Sequence, residues 1–191
     1  MTRIPRTGAE PFRSSGEPLP FDLRDFWRWS ASDLLSNALR GVLAEFIVAR
    51  ALGVDTAGVR AEWDAVDLRT ADGLAVEVKS AAYLQSWKQA KPSAITFGIA
   101  PAKAPWDAET NTYGEPGRQA DVYVFCLFAE QDRDRADPLD LDQWKFYILP
   151  TRVLDERLGP QKTVGLARLA KIGAVRCGFG ALRKAVMAAA P

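Results

Sequence analysis

The chain of 191 residues contains no histidine and only two cysteines, Cys126 and Cys177. The absence of histidine excludes histidine-based catalytic triads, imidazole general bases and histidine-ligated zinc. Two cysteines far apart in sequence, without a CxxC pair, argue against a disulfide scaffold and against structural zinc. Any catalysis must therefore use carboxylates, lysine, hydroxyl groups or a thiol, and we expect a hard metal ion to assist it.

The sequence also lacks a long apolar run and a strong excess of one charge. No run approaches the roughly 20 apolar residues that span a bilayer, and residues 1–20 lack the apolar centre of a secretory signal, so we expect a cytoplasmic protein without a membrane segment. The formal net charge is +1, which does not by itself predict nucleic-acid binding. From residue 151 onward there are eight basic and two acidic residues. That basic end suits either a surface facing a polyanion or an ordinary solvated helix face.

Composition and periodicity predict one α/β domain behind an N-terminal arm. Residues 1–20 are rich in Pro, Gly, Ser and Arg and are predicted to be a flexible arm, whereas residues 21–191 show no repeat and are predicted to form a single domain. The predicted elements are a helix from Ser30 or Ser32 to Leu52, a β-hairpin over 62–69 and 74–80, strands over 93–99, 121–128 and 144–149, a short helix capped by Thr151, and helices over 166–172 and 180–190. This order predicts a mixed central β-sheet flanked by helices, with strand 121–128 buried at its centre.

Four charged residues stand out within this pattern. Glu45 lies among small and apolar residues on the predicted helix, Asp64 lies on the first hairpin strand, and Glu77 and Lys79 share one face of the second strand. Neighbouring carboxylates repel each other and are costly to bury unpaired, so a divalent metal ion is predicted to bind between them. Such an ion acidifies a bound water, and a lysine nearby orients that water or neutralises charge on a phosphate. The group therefore suits phosphodiester hydrolysis.

Asp67 is the alternative to Asp64 as the hairpin carboxylate. The two residues have opposite strand parity, so both cannot face one site unless a bulge intervenes. We favour Asp64 for its spacing to the partner strand and leave Asp67 open.

Asp64, followed thirteen positions later by Glu77-Val78-Lys79 with apolar flanks, resembles the motif of the PD-(D/E)XK nuclease superfamily. The resemblance covers roughly residues 30–128 and implies a restriction-endonuclease-like core. It implies Asp64 and Glu77 as metal ligands, the carbonyl oxygen of Val78 as a backbone ligand, and Lys79 as the catalytic lysine. Glu45 matches the helix glutamate that helps many members to bind metal. The segment after Lys79 departs from the superfamily, since an extra strand and a long loop replace the expected helix.

The function that this resemblance implies is an Mg²⁺- or Mn²⁺-dependent endonuclease that acts on DNA, in host defence or DNA repair. RNA is not excluded as a substrate, and a homodimer is compatible with the resemblance. Weaker candidates for substrate contacts are Ser80, Gln85 and Lys88, which closely follow the motif. The alternative is a catalytically silent module on the same fold that binds nucleic acid or protein, in which Glu77 and Lys79 form an exposed ion pair of little energetic value.

Overall fold

The computed structural model describes residues 4–60, 65–102, 106–107, 112–113 and 116–191. The α-helices in these ranges are α1 (Leu23–Ala31), α2 (Asn37–Leu52), α3 (Thr151–Leu158), α4 (Leu166–Lys171) and α5 (Phe179–Ala188). The β-strands are β1 (Pro11–Ser14), β2 (Glu17–Asp22), β3 (Leu68–Arg69), β4 (Ala75–Ala82), β5 (Thr96–Gly98), β6 (Trp106–Asp107), β7 (Thr112–Tyr113), β8 (Val122–Phe128), β9 (Trp144–Pro150), β10 (Thr163–Gly165) and β11 (Val175–Cys177). In the described part of the chain, no helix is long and apolar enough to cross a membrane.

A five-stranded sheet with the order β11-β9-β8-β4-β3 forms the centre of the fold. The β4–β8 pair is parallel and the other pairs are antiparallel, so the sheet is mixed, as predicted. Every residue of β8 is buried because both sheet faces are covered. One core lies between the sheet and helices α2 and α5, and a second lies between the sheet and α3, α4 and β5. The prediction of a buried central strand is confirmed.

The predicted helix ending at Leu52 starts later than expected, and a separate helix precedes it. Helix α1 has a capping box, in which Asp22 accepts two backbone N–H bonds and Asp25 accepts the N–H of Asp22. Helix α2 is capped by Ser36 and ends at Gly53, whose φ of 75° favours glycine. The prediction placed the start at a serine inside or just after α1, because it missed the stronger cap at Ser36.

The chain ends also contain structure that the pattern did not predict. Residues 1–20 were expected to form a flexible arm, but β1 and β2 form an antiparallel hairpin whose turn has positive φ at Ser15 and Gly16. Thr151 is the first residue of α3, and Pro150 occupies the cap position that Thr151 was expected to fill. Strands β10 and β11 span three residues each, which is too short for a period-2 pattern to reveal.

Candidate active site

Strand β4 positions Glu77 and Lys79 in the middle of the fold. It lies between β8 and β3, and its even-numbered residues Val76 and Val78 pack into the core beneath α2. Glu77 and Lys79 therefore point to the opposite face, as strand alternation predicted. Lys79 Nζ forms an ion pair with Glu77 Oε1, and both side chains are half-buried. The pair is therefore less solvated than the exposed ion pair of the alternative interpretation.

The neighbouring strand β3 brings Asp67 to this pair. The register pairs Leu68 with Val76, so one further step places Asp67 opposite Glu77. The ladder ends there, and Asp67 Oδ2 accepts the backbone N–H of Val78 at 2.7 Å in place of a strand hydrogen bond. Burial raises the pKa of Asp67 to about 6, with the negative charge of Glu77 as the second cause. The two carboxylates are thus close enough to repel each other.

Asp64, the favoured hairpin ligand, lies outside the described residues. Asp67, the alternative, is the aspartate that the described hairpin places beside Glu77. The sequence does contain a signal for this pairing. The turn Ala71-Asp72-Gly73 is centred on Asp72, and five residues outward from Asp72 in each direction reach Asp67 and Glu77.

Glu45 lies on α2, close enough that its charge also contributes to the raised pKa of Asp67. Arg60 binds both of its carboxylate oxygens, with Nε 2.6 Å from Oε2 and Nη2 2.8 Å from Oε1. The Glu45 side chain is only 15% exposed. The predicted helix glutamate therefore lies near the aspartate, but its charge is already matched by an arginine that the sequence analysis did not select.

A cleft of about 310 Å³ opens beside Glu77 and Lys79, and we call it the Glu77 cleft. Its walls also include Arg118 and small residues such as Gly98. The Arg118 side chain is 1% exposed, and its guanidinium donates to the carbonyl oxygens of Ile99, Gly159 and Gln161 at 2.9–3.2 Å. Arg118 thereby joins the loop after β5 to the end of α3. Sequence reasoning missed it because none of its partners is local.

Tyr123 also lines the Glu77 cleft. It lies directly opposite Glu77 in the parallel β4–β8 ladder. Burial raises the pKa of Tyr123 to about 12, with the charge of Glu77 as the second cause. The phenol is therefore protonated at neutral pH and can act as a hydrogen-bond donor next to a carboxylate.

The three weaker substrate candidates do not join this group. The buried hydroxyl of Ser80 has no hydrogen-bond partner among the described residues. Gln85 is buried, and its amide donates to Ala82 O at 3.3 Å and Ser93 Oγ at 3.2 Å, which holds the loop after β4 together. Lys88 is exposed on the same loop. None of the three is among the described residues that line the Glu77 cleft.

The chemistry of Asp67 and Glu77 fits a small divalent cation. No group of three or more Asp, Glu or Cys side chains able to hold a metal ion occurs within the described ranges. Mg²⁺, however, commonly uses one or two carboxylates and completes its shell with water and substrate phosphate. Oδ1 of Asp67 and Oε2 of Glu77 accept no hydrogen bond from another described residue, which leaves one oxygen of each carboxylate for a cation.

Comparison with known families gives a match over this region. A family model described as bacteriophage T4 endonuclease IV matches residues 27–167, about three quarters of the chain. The matched range contains Glu45, Asp67, Glu77 and Lys79 and the whole lining of the Glu77 cleft. No curated protein matches the chain.

Proposed function

Because the chain belongs to the bacteriophage T4 endonuclease IV family, we propose that it is a metal-dependent endonuclease that hydrolyses phosphodiester bonds in DNA. The observation that supports the proposal is the group formed by Glu77 and Lys79 on β4 and Asp67, the residue just before β3, within the matched range. Hydrolysis of a phosphodiester needs an activated water and a means of stabilising negative charge on the phosphate. Two repelling carboxylates and a lysine are suited to that task.

Asp67 and Glu77 would hold Mg²⁺ or Mn²⁺, and the carbonyl oxygen of Val78 is our proposed backbone ligand. When bound, the metal ion supplies Lewis acidity and an acidified water. The chain itself orients the two carboxylate ligands, because the N–H of Val78 donates to one oxygen of Asp67 and Lys79 donates to one oxygen of Glu77. Our assignment to the PD-(D/E)XK superfamily, with its restriction-endonuclease-like core, remains a prediction.

Lys79 and Tyr123 supply hydrogen-bond donors in the same cleft. The Lys79 ammonium has two further N–H groups beyond the one directed at Glu77, and these suit a phosphate oxygen or the attacking water. The Tyr123 hydroxyl is a neutral donor, which suits a phosphate oxygen without adding charge. Glu45 holds the guanidinium of Arg60, a group that binds phosphate well. We propose that Glu45 acts through this arginine.

The test is a cleavage assay on plasmid and oligonucleotide DNA with Mg²⁺ or Mn²⁺. We expect Asp67→Asn and Lys79→Ala each to lower cleavage by about 10²-fold or more, the usual effect of removing a catalytic group. Asp134→Asn, an identical change at an exposed loop position, is the control. Asp64→Asn is assayed beside them, since loss of cleavage in that variant alone would assign the ligand to Asp64. Full activity of both Asp67→Asn and Lys79→Ala would contradict the proposed mechanism.

Three finer points of the proposal need separate measurements. Parallel assays on RNA of the same sequence test the choice of DNA. Light scattering during size-exclusion chromatography tests for a homodimer, and phage plating or damage survival in cells that produce Lys79→Ala tests a setting in host defence or repair.

A further inference from the structure

A second cleft lies between α2, the segment 54–60 and β3, and we call it the α2 cleft. Its volume is about 380 Å³, within the range of roughly 300–1,000 Å³ that is typical of ligand sites. Six of the thirteen residues in its wall have apolar side chains, and the largest of these, Phe46, is 52% exposed. Val42 and Val59 are also exposed there. An aromatic ring left this open within a cleft can stack against a planar ligand.

The α2 cleft adjoins the candidate active site through Asp67. Glu45 and Asp67 lie in its wall, and Asp67 is also the neighbour of Glu77. Arg60 and Arg69, both exposed, line it as well. The cleft thus combines an aromatic surface with two arginines and three carboxylates, one of which, Asp67, is proposed to hold the metal ion at the scissile phosphate.

We propose that the α2 cleft binds an unpaired nucleobase of the substrate, stacked on Phe46, in a nucleotide next to the scissile phosphate. This inference rests on the proposed function, because it is a phosphate at Asp67 and Glu77 that brings the adjoining nucleotide to the cleft. The face of a base stacks on an aromatic ring, and the phosphates beside it suit Arg60 and Arg69. A base within a duplex is already stacked on its neighbours, so the base bound here is either single-stranded or turned out of the helix.

The first test measures equilibrium binding to a fluorescent single-stranded oligonucleotide in EDTA, by anisotropy. Loss of one base–aromatic contact predicts that Phe46→Ala weakens binding by about 5- to 150-fold. Phe46→Tyr, which keeps the ring, is expected to bind within about threefold of wild type. Trp29→Ala removes an exposed aromatic side chain from α1, outside the α2 cleft, and is the matched control. Because Phe46 is half exposed, truncation leaves no buried cavity that would threaten folding.

The second test alters the substrate instead of the protein. A single abasic nucleotide is moved stepwise along an oligonucleotide with a mapped cleavage site, and kcat/KM is measured for wild type and Phe46→Ala. We expect one abasic position beside the cleaved bond to lower the kcat/KM of wild type as much as Phe46→Ala lowers it on the intact oligonucleotide. On that abasic oligonucleotide, Phe46→Ala should cause no further loss. A fully paired duplex is expected to be cut more slowly than the single strand or a mismatched duplex.

The outcomes separate this inference from the proposed function. The nucleobase site alone is overturned if wild type cleaves DNA and Phe46→Ala matches wild type in both its oligonucleotide affinity and its kcat/KM. Equal losses in Phe46→Ala and Trp29→Ala also overturn it, since they indicate only a general aromatic contribution. If wild type cleaves no DNA, the proposed function fails, and the binding comparison in EDTA still decides whether Phe46 stacks on a base.

Discussion

The carboxyl group of Asp67 provides a test of the site that needs no DNA. Burial, followed by the charge of Glu77, raises the pKa of Asp67 from 3.8 to about 6. Because the pKa in the folded state is higher than in the unfolded state, the folded state binds the proton more tightly. This stabilisation is complete below pH 3.8 and is lost as the pH rises through 6. At pH 8, therefore, the ionised Asp67 destabilises the metal-free protein.

The magnitude follows from the size of the shift. A shift of about two pKa units corresponds to about 3 kcal/mol as an upper limit. The site is only partly buried and solvent reduces the penalty, so we expect about 1–2 kcal/mol in practice. Asp67→Asn removes the charge but keeps an oxygen that can accept the N–H of Val78. The variant should therefore be more stable than wild type by about 1–2 kcal/mol at pH 8, and nearly equal to it near pH 4.

The assay is urea unfolding in EDTA between pH 4 and pH 8, followed by tryptophan fluorescence. Addition of 10 mM Mg²⁺ or Mn²⁺ should then stabilise wild type by about 1.4 kcal/mol if the dissociation constant is about 1 mM, and should leave Asp67→Asn unchanged. Asp134→Asn controls for the loss of a carboxylate elsewhere on the surface. A variant that is less stable than wild type at pH 8, or that gains as much from the metal ion, would refute the reasoning.

Three further predictions follow from buried groups. Arg118→Met should lower the free energy of unfolding by about 2–4 kcal/mol, because it leaves three carbonyl oxygens without their donor, whereas Asp155→Asn on the exposed side of the same ion pair should change it by less than about 1 kcal/mol. Urea unfolding measures both, and equal effects would contradict this account. Burial raises the pKa of the Cys126 thiol far above its ordinary value, so a thiol reagent should label Cys177 in the native protein and Cys126 only in urea. Labelling of both thiols at equal rates in the folded protein would show that Cys126 on β8 is accessible to solvent, which would contradict its burial. Tyr123→Phe should reduce kcat for DNA cleavage by about 2- to 10-fold with little change in KM, the effect of one lost hydrogen bond to the reacting phosphate. An unchanged kcat would show that the Tyr123 hydroxyl does not contact the reacting phosphate.

The centre of the sheet could be predicted from sequence because burial on both faces leaves a plain signal. Strand β8 is a continuous apolar run, and only a strand covered on both sides needs one. Alternation along β4 also placed Glu77 and Lys79 on one face correctly, since a period of two residues depends only on local geometry.

The partners of these residues could not be predicted in the same way. The choice between Asp64 and Asp67 depends on the register of a hairpin, and a shift of one residue exchanges the two faces. Arg60 reaches Glu45 from a segment of irregular structure fifteen residues away, where no periodic pattern exists. Arg118 contacts backbone carbonyls, which have no sequence signature at all. Local pattern identified the strand that holds Glu77 and Lys79, whereas tertiary packing determined which residues surround them.

The balance of charge explains why a cation would bind at Asp67 in particular. Three carboxylates lie near one another, and two of them have a cation of their own, since Arg60 binds Glu45 and Lys79 binds Glu77. Among the described residues, Asp67 has a backbone N–H as its partner and no ion pair. Its raised pKa is the consequence, because its ionised form is both buried and repelled. A divalent ion beside Asp67 would offset both the cost of burying its charge and the repulsion from Glu77, and it would attract the free oxygen of Glu77. An apolar substitution at Lys79, by contrast, would leave Glu77 without its cation. The site therefore predicts different stability effects in EDTA for two changes that are both expected to lower cleavage: Asp67→Asn stabilises the fold, and Lys79→Ala does not.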